Sequence, residues 1–369
     1  MTIPFFDLSR QFSTIRNEIL PALEEEMRSS HFVAGAAVEE FERAFARAHQ
    51  VEHCVAVGSG TDALHAIFWA LGLGPGDEVV TVSHTFIATA EAVSLTGATP
   101  VFVEIDPGTL LMDPGALERA ITPATRAVLP VHLYGNPAPM ERILAVAGAA
   151  GVPVVEDACQ AHGASLGGTP VGGFGRAAAF SFYPSKNLGA FGEAGAVLTR
   201  DAGLATRMRE LRDHGQTKKY HHARRGHNYR MDNLQGVVLG KKLPHLPAWT
   251  ARRREIAALY GGLLRGVGDL QLPRETPEGR HVYHLYVVLT QRRDALQEYL
   301  HARGIGSGLH YPVPLHLQPA YASAACPPGS LPVTEAAAAH ALSLPMFPEL
   351  TDDEVRAVAA AVRAFFDGR

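Results

Sequence analysis

Apolar positions along this 369-residue chain fall into two alternating rhythms between residues 51 and 200. Short apolar runs at 51–57, 78–82, 101–105, 127–131, 152–155, 177–182 and 196–199 predict strands, because a strand covered on both faces needs no polar alternation. Between them, apolar residues recur at three- and four-residue intervals, as at Leu64, Ile67, Phe68 and Leu71. That spacing predicts helices over 61–71, 86–95, 114–121 and 140–150. Gly72-Leu73-Gly74-Pro75-Gly76 stops the first of them. Strands alternating with helices predict an α/β fold, with a mostly parallel (mixed) sheet between helices. After residue 200 the rhythm changes: helices are expected at 204–211, 232–243, 248–265, 295–302, 331–342 and 352–366, and a strand at 282–289. The expected organisation is a large domain over residues 1–250 and a smaller α+β C-terminal domain over residues 251–369.

Composition narrows the class. Hydrophobic residues make up 47% and charged residues 19%, which supports a sizeable core and excludes wholesale disorder. No apolar run approaches the ~18 residues of a membrane span, and the first residues lack a basic and apolar leader pattern. The expectation is a cytoplasmic protein with no membrane partner. Cys54, Cys159 and Cys326 are scattered and form neither a disulfide framework nor a CxxC site. A net charge of −4 argues against a nucleic-acid partner. Residues 207–230 nevertheless hold eight Lys/Arg against two acids, with four histidines. Such a run is usually a solvated face; the irregular histidine spacing without cysteine argues against a metal site, and none is expected. The lysines are only Lys186, Lys218, Lys219, Lys241 and Lys242, so Lys186 alone stands unpaired.

Three motifs sit at predicted strand ends, where ligands of open α/β sheets bind. Gly58-Ser59-Gly60-Thr61-Asp62-Ala63 opens a helix whose free N–H groups face an anion. It reads as a phosphate cup, as the dinucleotide fingerprint of an NAD-dependent oxidoreductase with Asp77 or Glu78 as its acid, or as a plain strand–helix turn. Glu156-Asp157 ends an apolar strand, as either a ligand-facing acid or a loop cap. Ser181-Phe182-Tyr183-Pro184-Ser185-Lys186 places a lone lysine beside an apolar strand end, where an amine loses its charge more readily than in water. A phosphate cup, an acid and one lysine together match the needs of pyridoxal 5′-phosphate (PLP): an anchor for the phosphate, a partner for the ring nitrogen and an amine for the aldehyde.

Longer motifs add a resemblance. Gly58 to Leu64, His84-Thr85-Phe86-Ile87-Ala88-Thr89-Ala90, Glu156 to Gly163, Ser181 to Gly189 and the stretch from His214 to Asp232 resemble the DegT/DnrJ/StrS family of PLP-dependent sugar aminotransferases, of the aspartate-aminotransferase fold type, over nearly the whole chain. The resemblance implies that Lys186 bonds the cofactor and moves the proton, that Asp157 pairs with the ring nitrogen, and that Gly60, Thr61 and Ser181 hold the phosphate. It implies that Phe86 stacks on the ring and Gln160 contacts its edge, although core packing and helix capping are the plainer readings of these two residues. It also implies a homodimer with shared active sites, in which Asn228 reaches the neighbouring cofactor's phosphate. A lysine at 186, rather than the histidine of related dehydratases, implies transamination.

Tyr183-Pro184-Ser185-Lys186-Asn187 and the stretch from His310 to Gln318 resemble the branch that aminates C3 of dTDP-3-keto-6-deoxyhexoses, which implies that Tyr183, His310 and Tyr311 face the hexose, with Lys219 of the partner subunit on the diphosphate and L-glutamate as amino donor. The Pro-rich stretch after His310 also reads as a stiffened turn. Amination at C4 of a UDP- or dTDP-4-keto sugar stays open, and so do an NAD-dependent oxidoreductase and a non-catalytic binding protein.

Overall fold

The computed structural model describes residues 2–323 and 325–368. The chain opens with two helices, α1 (Leu8–Ser29) and α2 (Ala36–Ala48), that precede the first strand. Strands and helices then alternate: β1 (His53–Val57), α3 (Gly60–Leu71), β2 (Glu78–Val82), α4 (Ala88–Ser94), β3 (Thr99–Val103), α5 (Pro114–Ala120), β4 (Thr125–Leu129), α6 (Met140–Ala149) and β5 (Val155–Asp157). A short hairpin, β6 (Ser165–Leu166) and β7 (Thr169–Pro170), leads to β8 (Ala177–Ser181), β9 (Gly195–Thr199) and α7 (Ala202–Leu211).

These strands form one twisted layer in the order β3-β2-β4-β5-β8-β9-β1. The two ladders meet where β4 and β5 touch, through bridges Val128–Val154 and Val131–Asp157. All pairings are parallel except those of β9, which runs against both β8 and β1. The sheet is therefore mixed, as expected. Helices cover both faces: Leu64, Ile67 and Phe68 of α3 and Met208 of α7 pack with Val55, Val79 and Val155. On the opposite face Phe41 and Phe45 of α2 meet Phe180 and Phe182 edge-on. Each such aromatic, buried almost completely, contributes about 1.5–3 kcal/mol of transfer free energy.

An exposed hairpin follows, β10 (Gln216–Lys218) and β11 (His221–His222), and then α8 (Asn233–Lys242) and α9 (Leu246–Leu264). The rest is β12 (Gly279–Arg280), β13 (Tyr286–Leu289), α10 (Arg293–His301), α11 (Pro332–His340), β14 (Ala341–Leu344) and α12 (Asp352–Phe366). Two expectations change here. The helix expected over 331–342 ends at His340, because Ala341–Leu344 extends to pair antiparallel with β13. The strand expected over 282–289 is regular only from Tyr286, since residues 282–285 are drawn off by contacts to Gly135 and Tyr134.

We propose to keep the division at about residue 250. A separate apolar cluster gathers Ile256, Tyr260, Tyr286, Leu300, Leu344, Val358 and Phe365, and among the described residues of the N-terminal half only Ile3 joins it. Helix α9 carries the chain across this division without interruption. Among the described residues, no helix is long and apolar enough to cross a membrane.

Candidate active site

Ten of the twelve residues singled out from the sequence converge. Gly60, Thr61, Phe86, Asp157, Gln160, Ser181, Tyr183, Lys186, His310 and Tyr311 all line one cavity of about 770 Å³ at the C-terminal ends of β1, β2, β5 and β8. Asn228 and Lys219 do not line it; both are exposed, at the end and in the middle of the basic segment.

The cup is built by the turn between β1 and α3. Ser59 caps the helix, its hydroxyl accepting from the Asp62 N–H at 3.0 Å. The N–H groups of Gly60 and Thr61 meet no acceptor among the described residues and remain available to an anion. Glycine is required at 60, since a Cβ would stand 2.7 Å from Ser181 Cβ and 3.0 Å from Cys159 Sγ. Asp77 does not act as the acid of a dinucleotide site. It precedes β2, at the opposite, N-terminal end of the strands, where it accepts from the Gly74 N–H at 2.9 Å and from Arg126 at 3.2 Å.

Asp157 ends β5 and is 5% exposed. Its backbone is fixed by bonds to Pro130 and His132, which extend β4. Its carboxylate accepts from the Cys159 N–H at 3.2 Å and from the Thr89 hydroxyl at 2.8 Å. The loop after β8 returns through Gly189, where a Cβ would meet Pro184 O at 2.2 Å. That tight turn presents Lys186, whose amine has no hydrogen bond or ion pair among the described residues. Burial lowers its pKa, while Cys159 and Asp157 oppose the shift. The surrounding imidazoles are neutral for the same reason: burial, aided by the lysine's charge, brings His310 down to about 4 and takes His284 and His162 well below 6.5.

Lys242, in contrast, is buried outright and held at about 8 by desolvation. It donates to Gly189 O at 2.8 Å and lies 4.6 Å over the Phe191 ring, so it braces the loop from behind.

Phe86 leaves about half its surface uncovered (51%) and lines the cavity, which core packing does not explain. Gln160 bridges two segments. Its Oε1 accepts from the Tyr134 N–H at 2.7 Å, and its Nε2 donates to Tyr311 Oη at 3.1 Å. The Tyr134 hydroxyl donates to the His310 carbonyl and accepts from His84 at 2.8 Å. Tyr134 and Gln160 thus hold the His310–Tyr311 segment over the cavity. Thr85, Thr89, Glu193 and His284 also line it without having been assigned a role from the sequence. The one available signal is that Thr85 and Thr89 stand four apart at a helix start.

The basic run is mostly structural. Arg207, Arg209 and Arg212 bind the carbonyls of Ala70, Cys54 and Ala56; Arg224 pairs with Glu210 and Arg230 with Asp213. Lys218, Lys219 and Arg225 stay exposed and without an ion pair among the described residues.

The residues fit PLP. A capped helix start with free N–H groups, an exposed aromatic ring, a buried carboxylate and an unpartnered amine of lowered pKa face one space large enough for cofactor and substrate together. The chain belongs to the DegT/DnrJ/EryC1/StrS aminotransferase family, which matches residues 13–363. It is 47% identical over 361 residues to the dTDP-3-amino-3,4,6-trideoxy-alpha-D-glucose transaminase of Streptomyces venezuelae, covering 98% of this chain and 95% of that one. Identity to the UDP-N-acetyl-3-dehydro-alpha-D-glucosamine 3-aminotransferase of Acidithiobacillus ferrooxidans is 45%, over 99% of this chain and 98% of the other. The crystal structure of S. venezuelae DesV in complex with a ketimine intermediate superposes with a TM-score of 0.97 at 47% identity, over 99% of both chains. This chain is accordingly a PLP-dependent aminotransferase of sugar nucleotides.

Proposed function

From that membership we propose that the enzyme converts a dTDP-3-keto-6-deoxyhexose to the dTDP-3-amino-3,6-dideoxyhexose, taking the amino group from L-glutamate. The observation that carries the reading is the convergence of Lys186, Asp157 and the cup of Gly60 and Thr61 on one cavity also lined by Tyr183, His310 and Tyr311. Both relatives named above bear the new amine at C3 by their names, which supports C3 over C4.

When bound, PLP supplies an electrophilic carbonyl and an electron-accepting ring. The chain supplies the rest. The N–H groups of Gly60 and Thr61 and the Ser181 hydroxyl hold the phosphate. The Asp157 carboxylate would accept a hydrogen bond from the protonated ring nitrogen and keep it cationic, and Phe86 would lie against the ring. The Lys186 Nζ, its charge weakened by burial, would hold the cofactor through its aldehyde and is the amine placed to carry a proton. Neutral His284 and His310 leave that amine the principal proton carrier at the cavity wall. Tyr183, His310 and Tyr311 orient the hexose. Asn228 of the partner subunit closes the phosphate cup, and Lys219 of the partner subunit meets the diphosphate; their exposure away from this chain's own cavity is consistent with such a crossing.

Incubation with L-glutamate and a panel of 3-keto and 4-keto dTDP- and UDP-hexoses, followed by NMR of the products, tests the assignment. A 3-amino-3,6-dideoxy dTDP sugar is expected. Turnover of 4-keto substrates alone would move the reaction to C4.

A further inference from the structure

Asp157 has two oxygens and one task in the reading above, and the structure shows what fixes its rotation. Oδ1 accepts from the Cys159 N–H at 3.2 Å, a long bond within its own turn. Oδ2 accepts from the Thr89 hydroxyl at 2.8 Å, across from another element. A hydroxyl has one proton. Since Thr89 gives its proton to the carboxylate, the 2.9 Å contact between the Thr85 and Thr89 hydroxyls runs in one direction: Thr85 donates and Thr89 accepts. The two hydroxyls form a directed relay, Thr85 to Thr89 to Asp157. Thr85 and Thr89 are 2% and 1% exposed, so no bulk water competes for these bonds.

The relay also joins two parts of the cavity. Thr89 lies in the first turn of α4, and its N–H donates to the carbonyl of Phe86 at 3.1 Å. The turn that aims the Phe86 ring is therefore the turn that holds the carboxylate. A carboxylate torsion is broad and roughly two-fold when nothing pins it.

We propose that Thr89, supported by Thr85, is a positioning residue of this enzyme: its hydroxyl locks the Asp157 carboxylate in the rotation that meets the cofactor's ring nitrogen and ties that rotation to the seat of Phe86. This rests on the reading that Asp157 meets that nitrogen.

The test uses purified holoenzymes, reading the visible circular dichroism of the bound cofactor and its rate of loss on dilution, besides turnover. Thr89→Val keeps the shape and removes the donor. It is expected to lose cofactor about 10-fold faster with a diminished dichroic band, as removal of a hydrogen bond to a charged group implies. Thr89→Ser restores both within about twofold, because only the hydroxyl is needed. Thr85→Val shifts the same readouts in the same direction, and it decides the matter should Thr89→Val fail to fold. A Thr89→Val or Thr85→Val enzyme indistinguishable from wild type, or a Thr89→Ser enzyme no better than Thr89→Val, overturns the inference. Asp157→Asn separates the two levels: if it loses cofactor while Thr89→Val does not, only the relay fails. If Asp157→Asn itself behaves as wild type, the reading of the acid fails and the relay with it.

Discussion

Two lysines of lowered pKa show how little separates a reactive amine from a structural one. Both lose charge to desolvation, yet Lys242 is committed to Gly189 O and to the Phe191 ring, whereas Lys186 faces a cavity with nothing bound to it among the described residues. Lys186→Ala is expected to reduce transamination by roughly 10⁴-fold or more in single-turnover assays, the scale of a lost proton carrier together with a lost covalent step. Lys242→Met should retain turnover within about tenfold and lower the melting temperature, because an apolar chain keeps the packing and forfeits one hydrogen bond. Asp157 and Lys186 were legible because each is a polar group close after an apolar run. Thr85, Thr89, Tyr134 and His284 were not, since small hydroxyls and lone aromatics acquire a role only from neighbours distant in the chain, as Tyr134 does from His310 and Thr89 from Asp157.

Among elements, most strands and helices between 51 and 200 could be read from periodicity because they are packed on both faces; the short hairpin β6–β7 could not, and β5 starts only where the strand expected over 152–155 ends. Ala341–Leu344 could not: four alanine, leucine and serine residues continue a helical pattern, and only pairing with β13 makes them a strand. The cup shows the same dependence on a neighbour. Gly195 of β9 lies behind it, and a Cβ there would stand 2.2 Å from Ser59 O and 2.8 Å from the Gly60 nitrogen. Gly195→Ala is expected to push the cup out of line, weakening cofactor retention by about tenfold or more and costing about 1–3 kcal/mol of stability, measured by dialysis and chemical unfolding. At the chain's ends, Arg10 of α1 grips Glu354 of α12 with two bonds of 2.8 and 2.9 Å, and Thr351 completes the cap. The Arg10 side chain holds the Glu354 carboxyl at about 2. A depressed acid contributes stability above its ordinary pKa and loses it as pH falls through the folded value. Glu354→Gln should therefore lower the melting temperature near neutral pH, and the gap to wild type should close between about pH 4.5 and about 2.

At the scale of the molecule, one sheet edge gathers the ends of β1, β2, β5 and β8, and segments near Lys186 and His310 close over them. Sequence order alone scatters these parts over 250 residues, from Gly60 to His310; the parallel topology brings them together. The proposed exchange of Asn228 between subunits belongs to this scale. Lys186→Ala and Asn228→Asp enzymes, each inactive alone, should recover up to about a quarter of wild-type activity when mixed dimers form, since half the dimers then hold one intact site. No recovery would confine each site to one chain. If this cavity holds PLP on Lys186, borohydride reduction of the holoenzyme fixes the cofactor there, and digestion with peptide mass mapping reads the position. The reduced cofactor is expected on the peptide containing Lys186 alone. Label on Lys242 or any other lysine, with Lys186 unmodified, would contradict it.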